Sequence, residues 1–280
     1  MKIVIAKNAG YCFGVRDAVD LAYDISNSEG NVYMLGDIVH NEKVVNDLNQ
    51  NGATIVASLD DVPENSTVLF RAHGTRNEIW EEAKNKAIKI KDATCPLVHK
   101  IHEDVKELYT DGRKIIVVGD HGHDEVVAIA DQAPNTIVIS SIEEAKKLKK
   151  IKKAGVVSQS TQAIENVQDI IKILMTKVFD LRFINTICFP TKRNQEEIKQ
   201  LARIVDVMII IGSFTSANSK RLSSLSRELN NNTYQVTDCD DIKKRWFEKC
   251  ENVGISAGAS TPDYLIEEIK NKIDQIGNIK

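Results

Sequence analysis

The chain is poor in proline and aromatic residues, has no long apolar run and carries little net charge. Only 5 of its 280 residues are proline, and aromatic residues make up 5%. Its apolar runs fall far short of the about 20 residues that a transmembrane helix needs, and its start is too short in apolar residues for a signal peptide. Lysine and arginine number 37 against 40 acidic residues, so the net charge of −3 does not favour nonspecific nucleic-acid binding. We therefore expect a globular cytoplasmic protein.

Cysteine is scarce, and its spacing excludes several common uses. The chain has 5 cysteines, an odd number, and no C-x₂-C pair of the kind typical of structural zinc sites. The closely spaced cysteines of ferredoxins are also absent. An odd count without framework spacing favours a reducing compartment. Cys239 and Cys250 follow no repeated pattern and are interpreted as ordinary thiols.

Short apolar runs alternate with amphipathic segments along the whole chain. Helical periodicity is present over residues 13–25, 98–108 and 196–205. Such alternation predicts an α/β fold with mostly parallel sheets covered by helices. The predicted strands contain the runs KIVIA, NVYML, TVLFRA, KIIVVG, TIVIS, AGVVS, VMIIIG and NVGIS.

Three of the cysteines begin similar stretches of sequence. Cys12, Cys95 and Cys188 each follow a strand-like run and precede an amphipathic segment. In each stretch, a glycine that ends an apolar run stands 24 residues after the cysteine. The equal gaps predict three similar α/β units, which follow the cysteines and cover residues 13–95, 96–188 and 189–280. The glycines are Gly36, Gly119 and Gly212.

Polar residues recur at matching places in the three units. Some stand four and six positions after the glycine, and others end a later strand. Because ligands of open α/β sheets bind beyond the carboxyl ends of strands, we expect a pseudo-threefold arrangement around one central cavity. Three independent units with buried thiols are the alternative. The residues are His40, Glu42 and His73, then His123, Glu125 and Ser160, then Ser216, Asn218 and Ser260.

Three thiols in one cavity indicate a metal centre. A [4Fe–4S] cluster held by three cysteines leaves one iron open, whereas a catalytic zinc ion takes three ligands and water. The spacing favours the cluster and leaves zinc open.

Eight motifs together resemble one family. From about residue 3 to residue 268, the chain is similar to the LytB family of 4-hydroxy-3-methylbut-2-enyl diphosphate reductases. The resemblance implies an iron–sulfur enzyme that carries out the last step of the non-mevalonate isoprenoid pathway, with electrons from ferredoxin or flavodoxin. It also implies that an N-terminal strand in residues 1–12 joins the sheet of the third unit. We expect a monomer because one chain supplies all three cysteines. The motifs are AGYCFGV, RAHG, DATCPLV, GDHGHDEV, SQST, TKRNQ, SANSKRL and AGASTPDYLI.

The resemblance also implies roles for particular residues. Cys12, Cys95 and Cys188 match the ligands of a [4Fe–4S] cluster, and Glu125 matches the acid that supplies protons. His123 and Ser160 match its catalytic neighbours. The residues that match the diphosphate-binding and substrate-binding set are His40, His73, His123, Ser160, Ser216, Ala217, Asn218 and Ser260.

Two positions depart from the family pattern. Ala217 stands where a serine is common, and Asp124 stands where a proline is frequent. Two other functions are consistent with the residues alone. One is a zinc-dependent hydrolase of a phosphorylated substrate with Glu125 as general base, and the other is a non-catalytic iron–sulfur sensor.

Overall fold

The computed structural model describes residues 1–28 and 32–278. Strands and helices alternate along these ranges. The strands are β1 Lys2–Ile5, β2 Val32–Leu35, β3 Ala53–Val56, β4 Thr67–Phe70, β5 Lys89–Asp92, β6 Lys114–Val118, β7 Ile137–Ile139, β8 Ile151–Ser158, β9 Val178–Phe183, β10 Val207–Ile211, β11 Thr233–Val236 and β12 Asn252–Ala257. The helices are α1 Phe13–Ser28, α2 Glu42–Gln50, α3 Asn77–Asn85, α4 Pro96–Thr110, α5 Asp124–Ala130, α6 Ile142–Lys147, α7 Ile164–Lys177, α8 Phe189–Leu201, α9 Ala217–Leu229 and α10 Asp263–Asn278.

The strands form three parallel sheets with the same internal order. The first sheet runs β3-β2-β4-β5, the second runs β7-β6-β8-β9, and the third runs β11-β10-β12-β1. Every strand pair within them is parallel. The N-terminal strand β1 therefore occupies in the third sheet the edge that β5 and β9 occupy in the others. The predicted α/β class with parallel sheets is confirmed.

The equal spacing from cysteine to glycine has a structural cause. Each of the three glycines follows an inner strand, and its backbone N–H donates to the carbonyl at the end of the neighbouring strand. The bonds are Gly36 to Val56, Gly119 to Ile139 and Gly212 to Val236, each 2.9 Å long. The repeat in the sequence thus marks the same position in three equivalent sheets.

The described chain divides into two compact units. One, called here the terminal unit, contains Met1–Arg16, His40–Val44 and Phe189–Lys280, and it holds the third sheet. The other, called the middle unit, contains Asp17–Val39 and Val45–Cys188, and it holds the first and second sheets. The boundaries predicted at residues 12, 95 and 188 remain a prediction.

Apolar faces of the helices bury the sheets. In the terminal unit, α10 packs Leu265, Ile269 and Ile273 against the third sheet, where Ile209 and Ile255 are fully buried. Each fully buried isoleucine contributes about 1.5–3 kcal/mol. This packing fixes the strand ends from which the functional loops emerge. Within the described ranges, the structure contains no helix of the length and apolarity needed to cross a membrane.

Candidate active site

The carboxylate of Glu125 is buried in the middle unit and is held through both of its oxygens. It lies in the first turn of α5 and is 2% exposed. The backbone N–H of Ser160 donates to its Oε1 at 2.5 Å, and the Ser160 hydroxyl donates to its Oε2 at 2.8 Å. Because both oxygens accept from the loop after β8, the acid is fixed in one orientation. It is suited to exchanging protons with a ligand beside it.

His123 precedes this acid and caps the same helix. Its Nδ1 accepts from the backbone N–H of Glu125 at 3.2 Å. A neutral ring that accepts at Nδ1 carries its proton on Nε2, so Nε2 is a hydrogen-bond donor. The ring of His73 meets that of His123 edge-on, with centroids 5.6 Å apart. The two predicted histidines therefore lie together, next to the acid.

Two of the motif cysteines are attached to the same loops. The backbone N–H of Cys188 donates to the Ser160 carbonyl at 2.9 Å. The backbone N–H of Cys95 donates at 3.0 Å to the carbonyl of Ala72, the residue before His73. In the middle unit, each cysteine is thus held beside a predicted polar site residue.

An ion pair joins the loops that carry the histidines. The guanidinium of Arg71, which follows β4, contacts the carboxylate of Asp124, the first residue of α5. Both side chains are partly buried. Because Asp124 adjoins Glu125, the pair ties the start of α5 to the loop that contains His73.

The terminal unit brings together another part of the predicted set. The Ser260 hydroxyl donates to the His40 carbonyl at 3.0 Å, and the Asn41 amide donates to the Ser260 carbonyl at 2.8 Å. The backbone N–H of Cys12 donates to the Ala259 carbonyl at 3.4 Å. Cys12 is therefore tied to the loop of Ser260 as the other two cysteines are tied to theirs.

The N-terminus of α9 is built to bind an anion. Ser216 caps this helix by accepting from the backbone N–H of Ser219, and Ala217 and Asn218 form its first turn. The Asn218 Oδ1 and Ser219 Oγ atoms are buried and find no hydrogen-bond partner among the described residues. A helix N-terminus offers unpaired N–H groups and a positive dipole. The N–H groups and the Ser219 hydroxyl can donate to a phosphate oxygen, whereas Asn218 Oδ1 is an acceptor and suits a donor group of a ligand.

Two glycines allow the neighbouring strand ends to approach α9. A Cβ atom at Gly212 or at Gly258 would lie 2.2 Å from the Ser219 hydroxyl oxygen. A larger residue at either position would push the start of the helix away. The AGAST motif thus places a glycine where the site needs close backbone approach.

In the structure, two sets of residues that the sequence repeat aligned do not occupy equivalent positions. Asn41 caps α2 through hydrogen bonds from Lys43 and Val44, so it is Asn41, not His40, that corresponds to the caps His123 and Ser216. The signal was present in the sequence, because asparagine immediately before a glutamate-led helix is a typical cap.

The backbone hydrogen bonds of the cysteines change the second correspondence, which aligned His73, Ser160 and Ser260. Ala72 and Ala259 accept the backbone bonds of Cys95 and Cys12 and precede His73 and Ser260, whereas Ser160 itself accepts the bond of Cys188. Thr161 is therefore the positional counterpart of His73 and Ser260. Ser160 nevertheless makes the contact with Glu125.

Thr261 and Pro262 are residue types typical of a helix cap and of the first helical position, but α10 begins one residue later, at Asp263. The Thr261 hydroxyl is buried and donates instead to the carbonyl of Ile211 at 3.0 Å. Thr261 therefore joins the last helix to the end of β10.

Comparison with known proteins decides the family. A family model described as LytB protein matches residues 3–274. The chain belongs to the LytB family. A Geobacter sulfurreducens protein named 4-hydroxy-3-methylbut-2-enyl diphosphate reductase is 42% identical, over 100% of this chain and 99% of its own. An Aquifex aeolicus protein of the same name is 40% identical, over 98% and 96%.

Solved structures of reductases resemble this LytB chain. One, described as (E)-4-hydroxy-3-methyl-but-2-enyl diphosphate reductase, the terminal enzyme of the non-mevalonate pathway, is 39% identical with a TM-score of 0.71, covering 98% of this chain and 99% of its own. The E-1-hydroxy-2-methyl-but-2-enyl-4-diphosphate reductase of Plasmodium falciparum is 27% identical with a TM-score of 0.92, covering 96% and 87%.

The motif cysteines of this LytB chain share one local environment. Cys12, Cys95 and Cys188 directly precede α1, α4 and α8, each of 13 residues or more, and all three are partly exposed. The first turns of these helices contain only uncharged or basic residues and histidine. Because a helix N-terminus stabilises negative charge, these positions favour the thiolate that binds a soft metal. The donor set fits an iron–sulfur centre.

The other two cysteines have a different environment. Cys250 is buried in the core of the terminal unit, where its thiol donates to the Asn252 carbonyl at 3.2 Å. Cys239 packs against the same core, and burial raises the pKa of its thiol. Burial of this kind favours the neutral thiol over a metal-binding thiolate.

Proposed function

We propose that this chain is a 4-hydroxy-3-methylbut-2-enyl diphosphate reductase. It removes the allylic hydroxyl group and yields isopentenyl and dimethylallyl diphosphate, in the last step of the non-mevalonate isoprenoid pathway. The observation that carries this proposal is the buried Glu125 carboxylate, bound by Ser160 next to Cys188, in a chain that belongs to the LytB family over its length. An acid fixed beside a metal-ligand candidate is what reductive loss of water requires.

Cys12, Cys95 and Cys188 are the proposed ligands of a [4Fe–4S] cluster with one open iron. LytB enzymes are iron–sulfur proteins, and three partly exposed cysteines at helix N-termini are suited to thiolate ligation. When bound, such a cluster supplies single electrons and a Lewis-acid position for the substrate oxygen. Soft thiolates also select iron–sulfur centres over hard cations.

The proposed reaction consumes two electrons and two protons for each substrate molecule. The C–O bond breaks, the oxygen leaves as water, and one new C–H bond forms at either end of the allylic unit. Glu125 supplies protons, and the Ser160 hydroxyl relays or orients them because it already donates to that carboxylate. His123 fixes the first turn of α5 and offers Nε2–H to the substrate.

The proposed diphosphate site uses dipoles and neutral donors. The first turn of α9 offers backbone N–H groups and the Ser219 hydroxyl, which is unpaired among the described residues, and Asn218 contributes through its Nδ2 donor. At Ala217 the backbone N–H remains although the hydroxyl common in the family is missing, so the helix terminus still binds the anion. A diphosphate beside His40 and His73 favours their doubly donating form, whereas His123, which accepts at Nδ1, donates from Nε2 alone. The proposed substrate-binding residues are His40, His73, His123, Ser160, Ser216, Ala217, Asn218 and Ser260.

An external protein delivers the electrons in this proposal. A ferredoxin or flavodoxin is the partner that the family implies. One chain supplies all three cysteines, so the proposed active form is a monomer. Each of these assignments is tested separately from the reaction.

The function is tested with the chain reconstituted anaerobically with iron and sulfide. The substrate 4-hydroxy-3-methylbut-2-enyl diphosphate is supplied with a reduced viologen dye, and products are measured by mass spectrometry. We expect isopentenyl and dimethylallyl diphosphate in stoichiometric relation to the dye oxidised, at one product for two electrons. Release of inorganic phosphate without dye oxidation would indicate a hydrolase instead, and an unchanged substrate with a full cluster would exclude the proposal.

A further inference from the structure

An exposed pair of aromatic rings lies in the terminal unit. Phe13 and Phe189 are stacked, with ring centroids 5.6 Å apart and planes within 8° of parallel. Their exposed fractions are 39% and 49%. Two large apolar rings that stack in water and stay exposed are typical of a surface that meets a partner.

One arginine lies against this ring pair, and a second lies against a tyrosine two residues before Phe13 in the chain. The Arg193 guanidinium lies 5.5 Å from the centroid of the Phe189 ring, and the Arg16 guanidinium lies 5.5 Å from that of Tyr11. We call these residues the aromatic–arginine patch: Tyr11, Phe13, Arg16, Phe189 and Arg193.

The patch is electropositive. Phe13 and Phe189 begin α1 and α8, whose N-termini carry partial positive charge. Arg16 pairs with Asp263 at 3.2 Å. Arg193 is exposed, and among the described residues it lies within ion-pair distance of no carboxylate. The patch therefore keeps a net positive charge that attracts an anionic partner.

The patch is joined along the chain to two proposed cluster ligands. Phe13 directly follows Cys12, and Phe189 directly follows Cys188. A protein bound to these rings would contact the residues that directly follow both cysteines in the chain. We propose that the aromatic–arginine patch is the docking surface for an acidic one-electron carrier protein, an inference that rests on the proposed reductase function.

The electron demand of the proposed reaction and the chemistry of the patch both agree with an acidic electron-carrier protein as the partner. The proposed reaction draws two electrons from outside for each turnover, so a carrier must bind and leave twice. Small, charged interfaces with a few aromatic anchors are typical of such short-lived redox complexes. Arginine at the rim raises the association rate with an acidic partner more than it raises the final affinity.

The test compares charge reversals at two exposed arginines of the terminal unit. Arg193→Glu alters the patch, Arg203→Glu is the matched control, and Arg193→Lys keeps the charge. The probe is a small acidic [2Fe–2S] ferredoxin, and its Kd for each reconstituted variant is measured by titration at low and moderate salt. Turnover is then measured with the reduced ferredoxin and, separately, with reduced viologen dye.

We expect Arg193→Glu to weaken ferredoxin binding by on the order of tenfold at low salt and to reduce its salt dependence. Arg203→Glu and Arg193→Lys should bind nearly as the original chain does. The ferredoxin-driven rate of Arg193→Glu should fall with its Kd, whereas its dye-driven rate should stay unchanged.

Several results would overturn the patch assignment. Equal ferredoxin affinity in the Arg193→Glu and Arg203→Glu variants would do so, as would the absence of ferredoxin binding to the original chain. A change from dimer to monomer in Arg193→Glu would show that a second copy occupies the patch. Loss of dye-driven product formation in the original chain contradicts the reductase function instead, while the Kd comparison still decides the docking surface.

Discussion

The Ser160 hydroxyl donates to Oε2 of Glu125 at 2.8 Å, while the backbone N–H of the same serine donates to Oε1. One residue therefore holds both oxygens of a buried acid. This arrangement keeps the proposed proton donor in place in an environment that excludes most water. The position of the acid therefore also depends on the loop that contains Ser160.

Removing the acid should stop proton delivery without removing the metal centre. Glu125→Gln keeps the size of the side chain but provides no carboxyl proton. Because general-acid catalysis contributes about 10²–10⁴-fold, we expect kcat to fall by at least that range. Steady-state kinetics with the dye as reductant measure the effect.

The matched control is Glu144→Gln, which alters a partly exposed acid of the same compact unit that contacts His121. It should retain nearly full turnover. Both variants should keep the iron content of the original chain. Turnover by Glu125→Gln close to the original rate would remove Glu125 from the proton-donor role.

The Ser160 hydroxyl has a separable contribution. Ser160→Ala leaves the backbone bond to Glu125 but removes the second donor, so one carboxylate oxygen loses its charge-assisted bond. A loss of about 1.5 kcal/mol corresponds to a fall in kcat of about tenfold. Ser160→Thr retains the hydroxyl and should retain activity. Equal activity of the alanine and threonine variants would show that the hydroxyl plays no part.

Asp124 substitutes in this chain for a proline that is frequent in the family, and its ion pair with Arg71 holds the start of α5. His123 already has φ −69° and ψ 133°, the extended conformation that a residue before proline needs. Proline also fits the first position of a helix. We therefore expect Asp124→Pro to keep kcat, whereas Asp124→Ala should lower it.

The ion pair is tested by combining Asp124→Ala with Arg71→Met. A coupling free energy of about 0.5–1 kcal/mol, measured by urea unfolding of the single and double variants, is expected for a partly buried pair. Additive effects on unfolding, together with full activity of the Asp124→Ala variant, would contradict a positioning role for this pair.

The sequence repeat predicted the sheet class because its most regular signals come from buried strands. β4, β6 and β10 are almost fully buried, so they are continuous apolar runs. Strands β3 and β11 were not predicted, and β5 and β9 were predicted only as strand-like runs of unstated bounds before Cys95 and Cys188. All four are sheet edges. β5 and β9 are half exposed and contain KIKD and VFDLRF, in which charges interrupt the apolar pattern.

Helix α8 shows a second limit of hydrophobic periodicity. A helix was predicted over residues 196–205, but α8 begins at Phe189 and ends at Leu201. Its buried face contains polar residues, among them Asn194, whose amide donates to the Ala257 carbonyl at 3.1 Å. A polar group that is satisfied inside the fold looks like a surface residue in a sequence.

The functional roles of the site residues remain a prediction, whereas several contacts among them are present in the structure. Glu125, Ser160 and His123 meet within the middle unit, as their motifs implied. The Arg71–Asp124 ion pair and the cap at Asn41 depend on which loops the fold brings together. Because such contacts join residues far apart in sequence, spacing did not indicate them.

His102 links acidity to the stability of the fold. It lies on α4 and is buried, and this burial lowers its pKa from 6.5 to about 4, with the charges of His99 and Lys106 acting in the same direction and those of Asp92 and Asp131 opposing. Folding thus holds the ring neutral. Its contribution to stability is complete above the unfolded pKa of 6.5 and is lost as the pH falls toward 4.

The measurement is the free energy of unfolding in urea between about pH 7 and pH 4.5. The original chain should lose on the order of 2 kcal/mol through this group over that range. His102→Leu should show a correspondingly shallower dependence on pH. The same slope in both proteins would show that His102 does not titrate on unfolding.

The central claim is that Cys12, Cys95 and Cys188 together hold one iron–sulfur cluster. The direct measurement is iron and acid-labile sulfide per chain after anaerobic reconstitution of the single cysteine-to-serine variants. The original chain, Cys239→Ser and Cys250→Ser should each contain about four of both, and each change at position 12, 95 or 188 should lower that content or destabilise the cluster. Full iron and sulfide in a stable cluster in any of those three variants, or stoichiometric zinc without sulfide in the original chain, would contradict the claim.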